Sequence, residues 1–334
     1  MTINTEVHLV AYPGDEVLPE HFAVVETDVP QPGPGMALVR NEFMTLAAAY
    51  RDLMKPETTI PIPIFQLGQA MGGRTVGTVV VSNSPELSPG DLVEHFAGWR
   101  EYTVGPGQMF HKHDRNLLPS PEYFLSQGPT AWRGMVEIAE VGEGDVVFVS
   151  GATSGVGSLA GQIAKARGAK RVIGSTGSKS KAEYLIKECG FDAVFDYHDG
   201  PVVDLLREAA PEGINVFFDN VGGDQFEAAV AVSAPFARFA LCGALSGQLD
   251  ESSDGTRPRL DLMQCFPKQL VIKGFATYHT PDQINDWNRQ FSQWLREGKM
   301  TFPHTLVPGS VEDLPKNFIA LLERKFSGNV MAQL

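Results

Sequence analysis

The segment from Val146 to Lys181 constrains the fold of this chain more than any other part of its sequence. It reads VVFVSGATSGVGSLAGQIAKARGAKRVIGSTGSKSK. Its first four residues form a β-branched and aromatic run, which is typical of a parallel strand buried on both faces. A turn of small residues follows, then a stretch of helical periodicity, a second apolar run, and a cluster of Gly, Ser, Thr and Lys. This order predicts a βαβ unit of the kind that binds dinucleotides.

The turn of this unit is suited to a phosphate because it carries little side-chain bulk. Its small residues are Gly151, Ala152, Ser154, Gly155 and Gly157. Backbone N–H groups in such a turn can approach a pyrophosphate closely, and the helix predicted to begin at about Val156 directs its positive end toward it. An ordinary tight strand-to-helix turn is the alternative interpretation of the glycines alone.

The second strand of the unit decides which dinucleotide is predicted. An NAD site usually places Asp or Glu about 20 residues after the glycines, where it binds the ribose 2′-hydroxyl. No acid occurs between Asp145 and Glu183, whereas hydroxyls and two lysines, Lys179 and Lys181, follow the second strand. These groups suit a 2′-phosphate, so the sequence predicts NADP(H). The alternative is that both lysines are solvated residues at the start of the next helix.

Composition excludes several classes of function. The chain has 334 residues, 40 acids against 27 Lys and Arg, and a formal net charge of −13, so it has no basic field to attract nucleic acid or an anionic membrane. The start, MTINTEVHLVAYPGDE, has no basic segment before an apolar core, and no uninterrupted apolar stretch reaches about 18 residues. We therefore predict a soluble, cytoplasmic protein that binds neither nucleic acid nor membrane.

Cysteine and histidine usage predicts no metal site. The three cysteines, Cys189, Cys242 and Cys265, are widely spaced and form no CxxC pair, so we expect reduced, buried side chains rather than a disulfide framework or a tetrathiolate zinc lobe. His111 and His113 lie close together, but no Cys or Glu stands nearby at a supporting spacing. A polar loop is the favoured interpretation of that pair.

Beyond Lys181 the sequence alternates short apolar runs with helical periodicity, which predicts a doubly wound parallel sheet with helices on both faces. Two predicted strands are followed by polar or small residues: Asp219 and Asn220 follow VFF, and Cys242 and Gly243 follow FAL. Ligands of such sheets bind at the carboxyl ends of the strands, so these loops should face the dinucleotide. Asn220 has an alternative interpretation as a turn residue.

The first part of the chain is predicted to be rich in β-structure. Strand-like runs alternate with Pro- and Gly-rich loops, and the glycines of Gly68 to Asn83 indicate a strand that bends around a small barrel. Leu46 to Met54 can form a short helical turn that projects Tyr50 and Arg51; an aromatic core residue beside a surface cation is the alternative. Trp99 is predicted to pack in the core or at a domain interface.

With these motifs in view, the chain resembles the zinc-independent medium-chain dehydrogenases/reductases, in particular the branch with prostaglandin reductases (leukotriene B4 dehydrogenases) and plant alkenal double-bond reductases. The resemblance runs nearly end to end. Its strongest motifs are GSLAGQIAK and GSKSKAEYL, FDNVGG from Phe218, CGALS from Cys242 and GFATY from Gly274. Weaker similarity occurs at Tyr50-Arg51 and in GWREY from Gly98.

This resemblance implies an α/β architecture with two domains. A GroES-like partial barrel for substrate would comprise residues 1–123 and 302–334, and a Rossmann domain for NADP(H) would comprise residues 124–301. The family commonly forms homodimers. The cofactor-binding residues implied by matching motifs are Ser154, Gly155, Val156, Gly157, Ser175, Lys181, Tyr197, Asn220, Cys242, Gly243, Ala244, Ser246, Phe275, Ala276, Thr277 and Asn329.

Departures from the family pattern fall on the substrate side. Members with catalytic zinc have Cys and a GHE segment in the first domain, whereas this chain has no cysteine there and has GQAMGG in place of GHE. Ala47 to Ala49 replace the Asp-Pro-Tyr that often precedes the first short helix, and Tyr50 is displaced by one position while Arg51 keeps its place. Pro267 stands where several members have a Tyr that binds the substrate carbonyl. Zinc chemistry and a prostaglandin-like substrate are therefore disfavoured.

The resemblance and the cofactor motifs together predict an NADPH-dependent oxidoreductase. Its substrate would be a small conjugated carbonyl compound, an α,β-unsaturated ketone or aldehyde that accepts hydride at the β-carbon. The predicted catalytic residues are Tyr50, Arg51 and Tyr278, with Tyr50 the first choice to stabilise or protonate the enolate. The alternatives are a quinone oxidoreductase, reduction or reductive cyclisation of a conjugated biosynthetic intermediate, and a non-catalytic NADPH-binding scaffold.

Overall fold

A computed structural model describes residues 3–56, 63–243 and 258–334, which form two compact units. The first unit comprises the chain up to Ser126 together with His304–Leu334, and the second comprises Gln127–Pro303. The chain therefore leaves its first unit, completes the second, and returns. Within the described ranges, no helix combines the length and hydropathy that crossing a bilayer requires.

The described strands are numbered in chain order. They are β1 Ile3–Leu9, β2 Phe22–Asp28, β3 Met36–Leu46, β4 Gln69–Ala70, β5 Thr75–Ser82, β6 Leu92–His95, β7 Tyr102–Pro106, β8 His111–His113, β9 Val146–Val149, β10 Arg171–Thr176, β11 Ala193–Asp196, β12 Ile214–Asp219, β13 Ser233–Leu241, β14 Val271–Gly274, β15 His304–Val307 and β16 Asn329–Gln333.

The described α-helices are numbered in the same way. They are α1 Tyr50–Leu53, α2 Gly128–Trp132, α3 Gly155–Ala166, α4 Lys179–Cys189, α5 Val202–Ala209, α6 Gly223–Val232, α7 Leu262–Lys268, α8 Pro281–Arg296 and α9 Leu314–Leu322. Short 3₁₀ turns occur at Pro19–His21, Gly107–Met109, Pro121–Leu125 and Val311–Asp313, and α2 continues as a π-helical turn over Arg133–Ile138.

The second unit is built on a parallel sheet in the order β11-β10-β9-β12-β13-β14. All of its strand pairs are parallel, because each strand is followed by a crossover segment. Strand β9 is fully buried, as its unbroken apolar sequence predicts. The rings of Phe148 and Phe217 stack at a centroid distance of 5.1 Å, and Phe239 meets Phe217 edge-on at 5.1 Å. The predicted doubly wound sheet is confirmed.

The first unit contains two sheets. One has three strands in the order β2-β1-β4, and the other has seven, β15-β16-β3-β5-β6-β8 with β7 also paired to β3. Most pairs are antiparallel, which confirms the predicted β-rich partner of the parallel sheet. Strand β16 pairs with β3 in the register Val330↔Leu46, so the end of the chain completes a sheet begun near its start.

Trp99 anchors the core of the first unit. Its side chain is fully buried, stacks on Phe22 at 5.9 Å and meets Phe318 edge-on at 5.8 Å. Its backbone has a positive φ of 57°, an unusual conformation for a bulky residue, which the surrounding aromatic packing stabilises. The prediction of a core tryptophan is confirmed.

Candidate functional site

The glycine turn after β9 forms a narrow cradle at the start of α3. Ser154 is the N-cap of this helix, and its hydroxyl accepts a hydrogen bond from the Gly157 N–H at 3.0 Å. A Cβ on Gly157 would stand 2.6 Å from the Gly151 carbonyl oxygen and 2.9 Å from the Ala152 Cα, both backbone atoms. Only glycine therefore permits this closure, and Gly155 and Val156 complete the first helical turn.

Asp219, at the end of β12, links three strand ends through hydrogen bonds. Its Oδ1 accepts from the Ser150 hydroxyl at 2.7 Å, from the Val221 N–H at 3.0 Å and from the Gly222 N–H at 2.9 Å. Its carbonyl oxygen accepts from the N–H groups of Cys242 and Gly243 at 2.9 and 3.0 Å. Burial raises the pKa of Asp219, and these donors only partly offset that effect. Motif reasoning identified the loop but missed this carboxylate as its centre.

Asn220 and Ser175 hold the loops in place rather than projecting freely. The Asn220 amide donates to the Ser150 carbonyl at 2.8 Å, and its backbone N–H donates to the Ser150 hydroxyl at 2.8 Å. The buried Ser175 hydroxyl accepts from the Gly151 N–H at 3.1 Å and lies in hydrogen-bond contact with Gln225. Both predicted residues thus belong to the turn cluster, as supports of its backbone.

The end of β10 lies in a second cluster with the predicted phosphate-binding residues. The Tyr197 N–H donates to the Thr176 carbonyl at 3.0 Å, which brings the Tyr197 ring over Gly177. Ser178 caps α4 by accepting from the Lys181 N–H at 3.4 Å. No carboxylate belongs to β10 or its turn, in agreement with the sequence. Lys181, Ser178 and Tyr197 therefore belong to the segments that directly follow β10 and β11. In such a sheet, this is the region where a dinucleotide carries its ribose 2′-substituent.

Residues 275–279 are anchored at the carboxyl end of β14. The Arg133 guanidinium donates to the Ala276 carbonyl at 3.0 Å and to the Tyr278 carbonyl at 3.3 Å, and His279 Nε2 lies 2.9 Å from the Thr130 hydroxyl. The Phe275 N–H donates to the Leu241 carbonyl at 3.3 Å. Thr277 and the Tyr278 side chain are exposed, the latter by 63%. This segment follows the last described strand of the parallel sheet and exposes the Tyr278 side chain.

Tyr50, the first choice as a catalytic residue, lies in the core of the first unit. Its ring meets Phe65 and Phe96 edge-on at 6.2 and 6.1 Å, and its hydroxyl accepts from the Arg74 N–H at 3.0 Å. Burial raises the pKa of Tyr50 to about 12, although the Arg74 hydrogen bond opposes this effect. The prediction was that Tyr50 projects toward substrate, but its side chain is buried in the structure. Apolar neighbours surround the ring, and the Arg74 N–H fixes the hydroxyl.

The other predicted residues of the first unit are placed as follows. The Arg51 guanidinium donates to the Asp15 carbonyl at 2.6 Å. Asn329 is completely buried at the start of β16, in the first unit. Ala244 and Ser246 lie outside the described residues. Cys189 is buried as expected, whereas Cys242 and Cys265 are partly exposed.

A buried charged cluster in the first unit was not predicted. The Arg74 guanidinium donates to Glu94 Oε1 at 2.8 Å and to the carbonyls of Phe124 and Ser126, each at 3.1 Å. The second carboxylate oxygen of Glu94 lies 3.0 Å from His113 Nε2. His113 is therefore a buried strand residue, and the polar loop expected for the His111–His113 segment is corrected. Arg74, Glu94 and His113 are distant from one another in sequence and form no motif, so this charged cluster could not be predicted from sequence patterns.

This cluster predicts a loss of stability in acid. Burial would raise the pKa of Glu94, but the Arg74 charge and the His113 hydrogen bond lower it from 4.5 to about 2. Because the pKa of Glu94 is lower in the folded protein than in the unfolded one, the ionised carboxylate stabilises the fold at pH values above 4.5. This stabilisation is lost as the pH falls from 4.5 toward about 2. The loss is about 3 kcal/mol, since each pKa unit corresponds to about 1.4 kcal/mol. Urea unfolding at a series of pH values would measure this loss in the free energy of unfolding. A Glu94→Gln variant should lose less stability between pH 4.5 and about 2 than the wild type does. The same loss in both proteins would contradict the assignment.

Among the residues that the structure describes, no group of three or more His, Cys, Asp or Glu side chains is arranged to hold a metal ion.

Comparison with known proteins identifies the family of the chain. The family model described as the N-terminal domain of oxidoreductases matches residues 5–113, and the model described as zinc-binding dehydrogenase matches residues 155–297. The chain is 31% identical to the NADPH-dependent curcumin reductase of Escherichia coli, over 98% of this chain and 95% of that protein. The chain belongs to the zinc-independent medium-chain dehydrogenases/reductases.

Two further relatives agree with this assignment. Prostaglandin reductase 1 of Bos taurus is 30% identical over 98% of this chain and 96% of that protein. The crystal structure of CurA from Vibrio vulnificus in complex with NADPH has a TM-score of 0.86 and 29% identity, and the match covers 98% of both chains. The predicted family, and the predicted pairing of a parallel sheet with a β-rich unit, are confirmed along nearly the whole length.

Proposed function

We propose that this chain is an NADPH-dependent reductase that adds hydride to the β-carbon of an α,β-unsaturated ketone or aldehyde. The observation that carries the proposal is the strand-end arrangement of the second unit, where a glycine cradle and a lysine-containing, acid-free turn follow neighbouring parallel strands. The named activities of the curcumin and prostaglandin reductases support the same cofactor and the same kind of conjugated substrate.

The residues present suit the phosphate groups of NADPH. The close packing at Gly157 keeps the turn free of side chains, so the first N–H groups of α3 can bind the pyrophosphate together with the positive end of the helix. Lys181 and Tyr197 are proposed to bind the 2′-phosphate, because the end of β10 carries no carboxylate to repel it. Cys242, Gly243 and Phe275 to Thr277 are proposed to line the path toward the nicotinamide.

The chemistry requires a donor for the oxygen that becomes negative. When bound, NADPH supplies the hydride. The chain must hold the carbonyl compound and donate a hydrogen bond to its oxygen as enolate charge develops. Tyr278 is proposed for this role, because its side chain is exposed whereas that of Tyr50 is buried. Tyr50 is proposed instead to hold the Arg74 backbone, and Arg51 to hold the Asp15 carbonyl.

Paired substitutions test this division of roles. Tyr278→Phe is expected to lower kcat with an enone about tenfold or more, since one donor to the developing oxyanion is lost. Tyr50→Phe should leave kcat within about twofold and lower the free energy of unfolding by about 1 kcal/mol, the usual effect of one lost hydrogen bond. Steady-state kinetics and urea unfolding of both variants give the answer. A large loss of kcat in Tyr50→Phe with none in Tyr278→Phe would reverse the assignment.

We also propose a cytoplasmic homodimer. Helix α7 exposes Leu262, Met263 and Phe266 by 65%, 70% and 63%, and β14, which follows it in the chain, is the outermost described strand of the parallel sheet. Apolar exposure of this extent suits a surface that a second copy covers. Light scattering should give about twice the monomer mass of 36.3 kDa; a monomer at micromolar concentration would contradict the proposal.

A further inference from the structure

Two aromatic rings cover Gly177, the first residue after β10. A Cβ at this position would stand 2.8 Å from the Tyr197 hydroxyl and 3.3 Å from His198 Cε1. The two rings are themselves 4.2 Å apart between centroids. The resemblance to known reductases assigns a role to Tyr197, but it assigns none to His198. The structure nevertheless places both rings at the same turn.

The position of the turn at Gly177 indicates which part of a ligand His198 would contact. In a doubly wound sheet, the end of the second strand of the nucleotide-binding unit faces the adenosine ribose and its 2′-substituent. Strand β10 is that strand, and Gly177 follows it directly. Given the proposed function, the 2′-substituent is a phosphate. The His198 side chain is 62% exposed, so a ligand can reach its free edge.

The hydrogen bonds of His198 determine which of its atoms can meet a phosphate. Its Nδ1 lies 2.8 Å from Asp196 Oδ1, and its backbone N–H donates to the same oxygen at 3.1 Å. A carboxylate only accepts, so Nδ1 carries a proton. A neutral ring with its proton on Nδ1 has a lone pair on Nε2, and an oxygen of the fully ionised phosphate cannot donate to it. Contact with the phosphate therefore requires a second proton, on Nε2.

We propose that His198 binds the 2′-phosphate of NADPH as an imidazolium, so that cofactor binding takes up a proton at Nε2. The proton comes from solvent. The phosphate on one side and the Asp196 carboxylate on the other both stabilise the doubly protonated ring. Recognition of the 2′-phosphate then depends on the positive charge that the His198 ring acquires when the phosphate binds.

The other charged groups near His198 are consistent with this arrangement. Asp196 and Asp199 belong to the end of β11 and the turn after it, and Lys179 and Lys181 belong to the first turn of α4, which packs on that strand. The lysines favour an anionic ligand. Binding of the phosphate adds the negative charge that shifts the ring toward the imidazolium.

Calorimetry with the purified full-length protein measures the proton directly. The probe is 2′,5′-ADP, with 5′-AMP as the ligand without a 2′-phosphate, each titrated at about pH 7.5 in buffers of different ionisation enthalpy. The protein should take up about 0.5 to 1 proton more with 2′,5′-ADP than a His198→Asn variant does, since imidazole ordinarily titrates near 6.5. The phosphate is almost fully ionised at about pH 7.5 and contributes equally to both proteins. The variant should also bind 2′,5′-ADP about tenfold more weakly, with 5′-AMP affinity unchanged.

A second histidine substitution is the matched control. His8 Nε2 lies 2.9 Å from Glu6 Oε2, a carboxylate that likewise stands two residues earlier, but this pair belongs to β1 of the first unit. His8→Asn should keep both the proton uptake and the affinity. Equal proton uptake in the wild type and His198→Asn would overturn the proposal, and His198 would then be a solvent-exposed partner of Asp196 only. Failure of the wild type to bind 2′,5′-ADP at all would instead overturn the proposed NADPH function.

Discussion

Gly157→Ala is expected to weaken NADPH binding at least about tenfold. The new Cβ would stand 2.6 Å from the Gly151 carbonyl oxygen and 2.9 Å from the Ala152 Cα, distances that real Cβ atoms do not adopt. Neither contact is with a side chain that could rotate away, so the turn must open. Opening moves the N–H groups at the start of α3 away from the pyrophosphate position. Quenching of protein fluorescence during NADPH titration would give the Kd.

A second glycine in the same unit provides the control for that substitution. Gly142 lies in the loop before β9, has no atom within 4 Å of the position of an added Cβ, and has no positive φ. Gly142→Ala should therefore bind NADPH like the wild type. Unchanged affinity in Gly157→Ala, with the variant folded, would mean that the cradle does not bind the cofactor.

Asp219→Ala is expected to lower the free energy of unfolding by about 3 kcal/mol or more and to abolish measurable NADPH binding. One carboxylate oxygen accepts from the Ser150 hydroxyl and from the N–H groups of Val221 and Gly222. Deleting it removes the acceptor of the buried Ser150 hydroxyl and of the Gly222 N–H, whereas the Val221 N–H keeps the Ser150 hydroxyl at 3.2 Å. Each buried donor left unsatisfied costs about 1 to 3 kcal/mol. The loops that follow β9 and β12 lose their common anchor at the same time. Urea unfolding and NADPH titration would test both effects.

Asp219→Asn separates the role of shape from that of charge. Burial raises the pKa of Asp219, so the site penalises the charged form, and an amide oxygen can still accept from the three donors. We expect this variant to lose less than about 1 kcal/mol and to retain NADPH binding. An equally large loss in both variants would show that the negative charge, rather than the accepting oxygen, holds the loops.

The parallel sheet was predictable because its local patterns agree with one another. Strand β9 is a continuous apolar run that turns out to be fully buried, and the helix predicted to begin at about Val156 begins at Gly155. Helix α4 ends at Cys189, and Gly190 caps it in the left-handed conformation, a typical stop that glycine permits. In contrast, the π-helical turn at Arg133–Ile138 and the positive φ of Trp99 depend on tertiary packing, which periodicity does not encode.

Much less of the site chemistry could be read from the sequence. Asp219 lies in the FDNVGG motif, but its role depends on the Ser150 hydroxyl, which comes 69 residues earlier. Arg74 meets Glu94 and the chain near Ser126 through contacts between residues 20 and 52 positions apart. Tyr50 was expected to face substrate because of its motif position, yet neighbouring aromatic rings bury it. Such contacts between distant residues need coordinates, whereas a glycine turn is local.

The most direct test of the proposed reaction is to follow the consumption of NADPH with an α,β-unsaturated ketone and identify the product. The proposal predicts that the saturated ketone forms in an amount equal to the NADPH consumed, that NADPH deuterated at its transferable position labels the β-carbon, and that NADH is a much poorer donor. An allylic alcohol as product, a label on the carbonyl carbon, or no NADPH consumption with any conjugated ketone or aldehyde would contradict it.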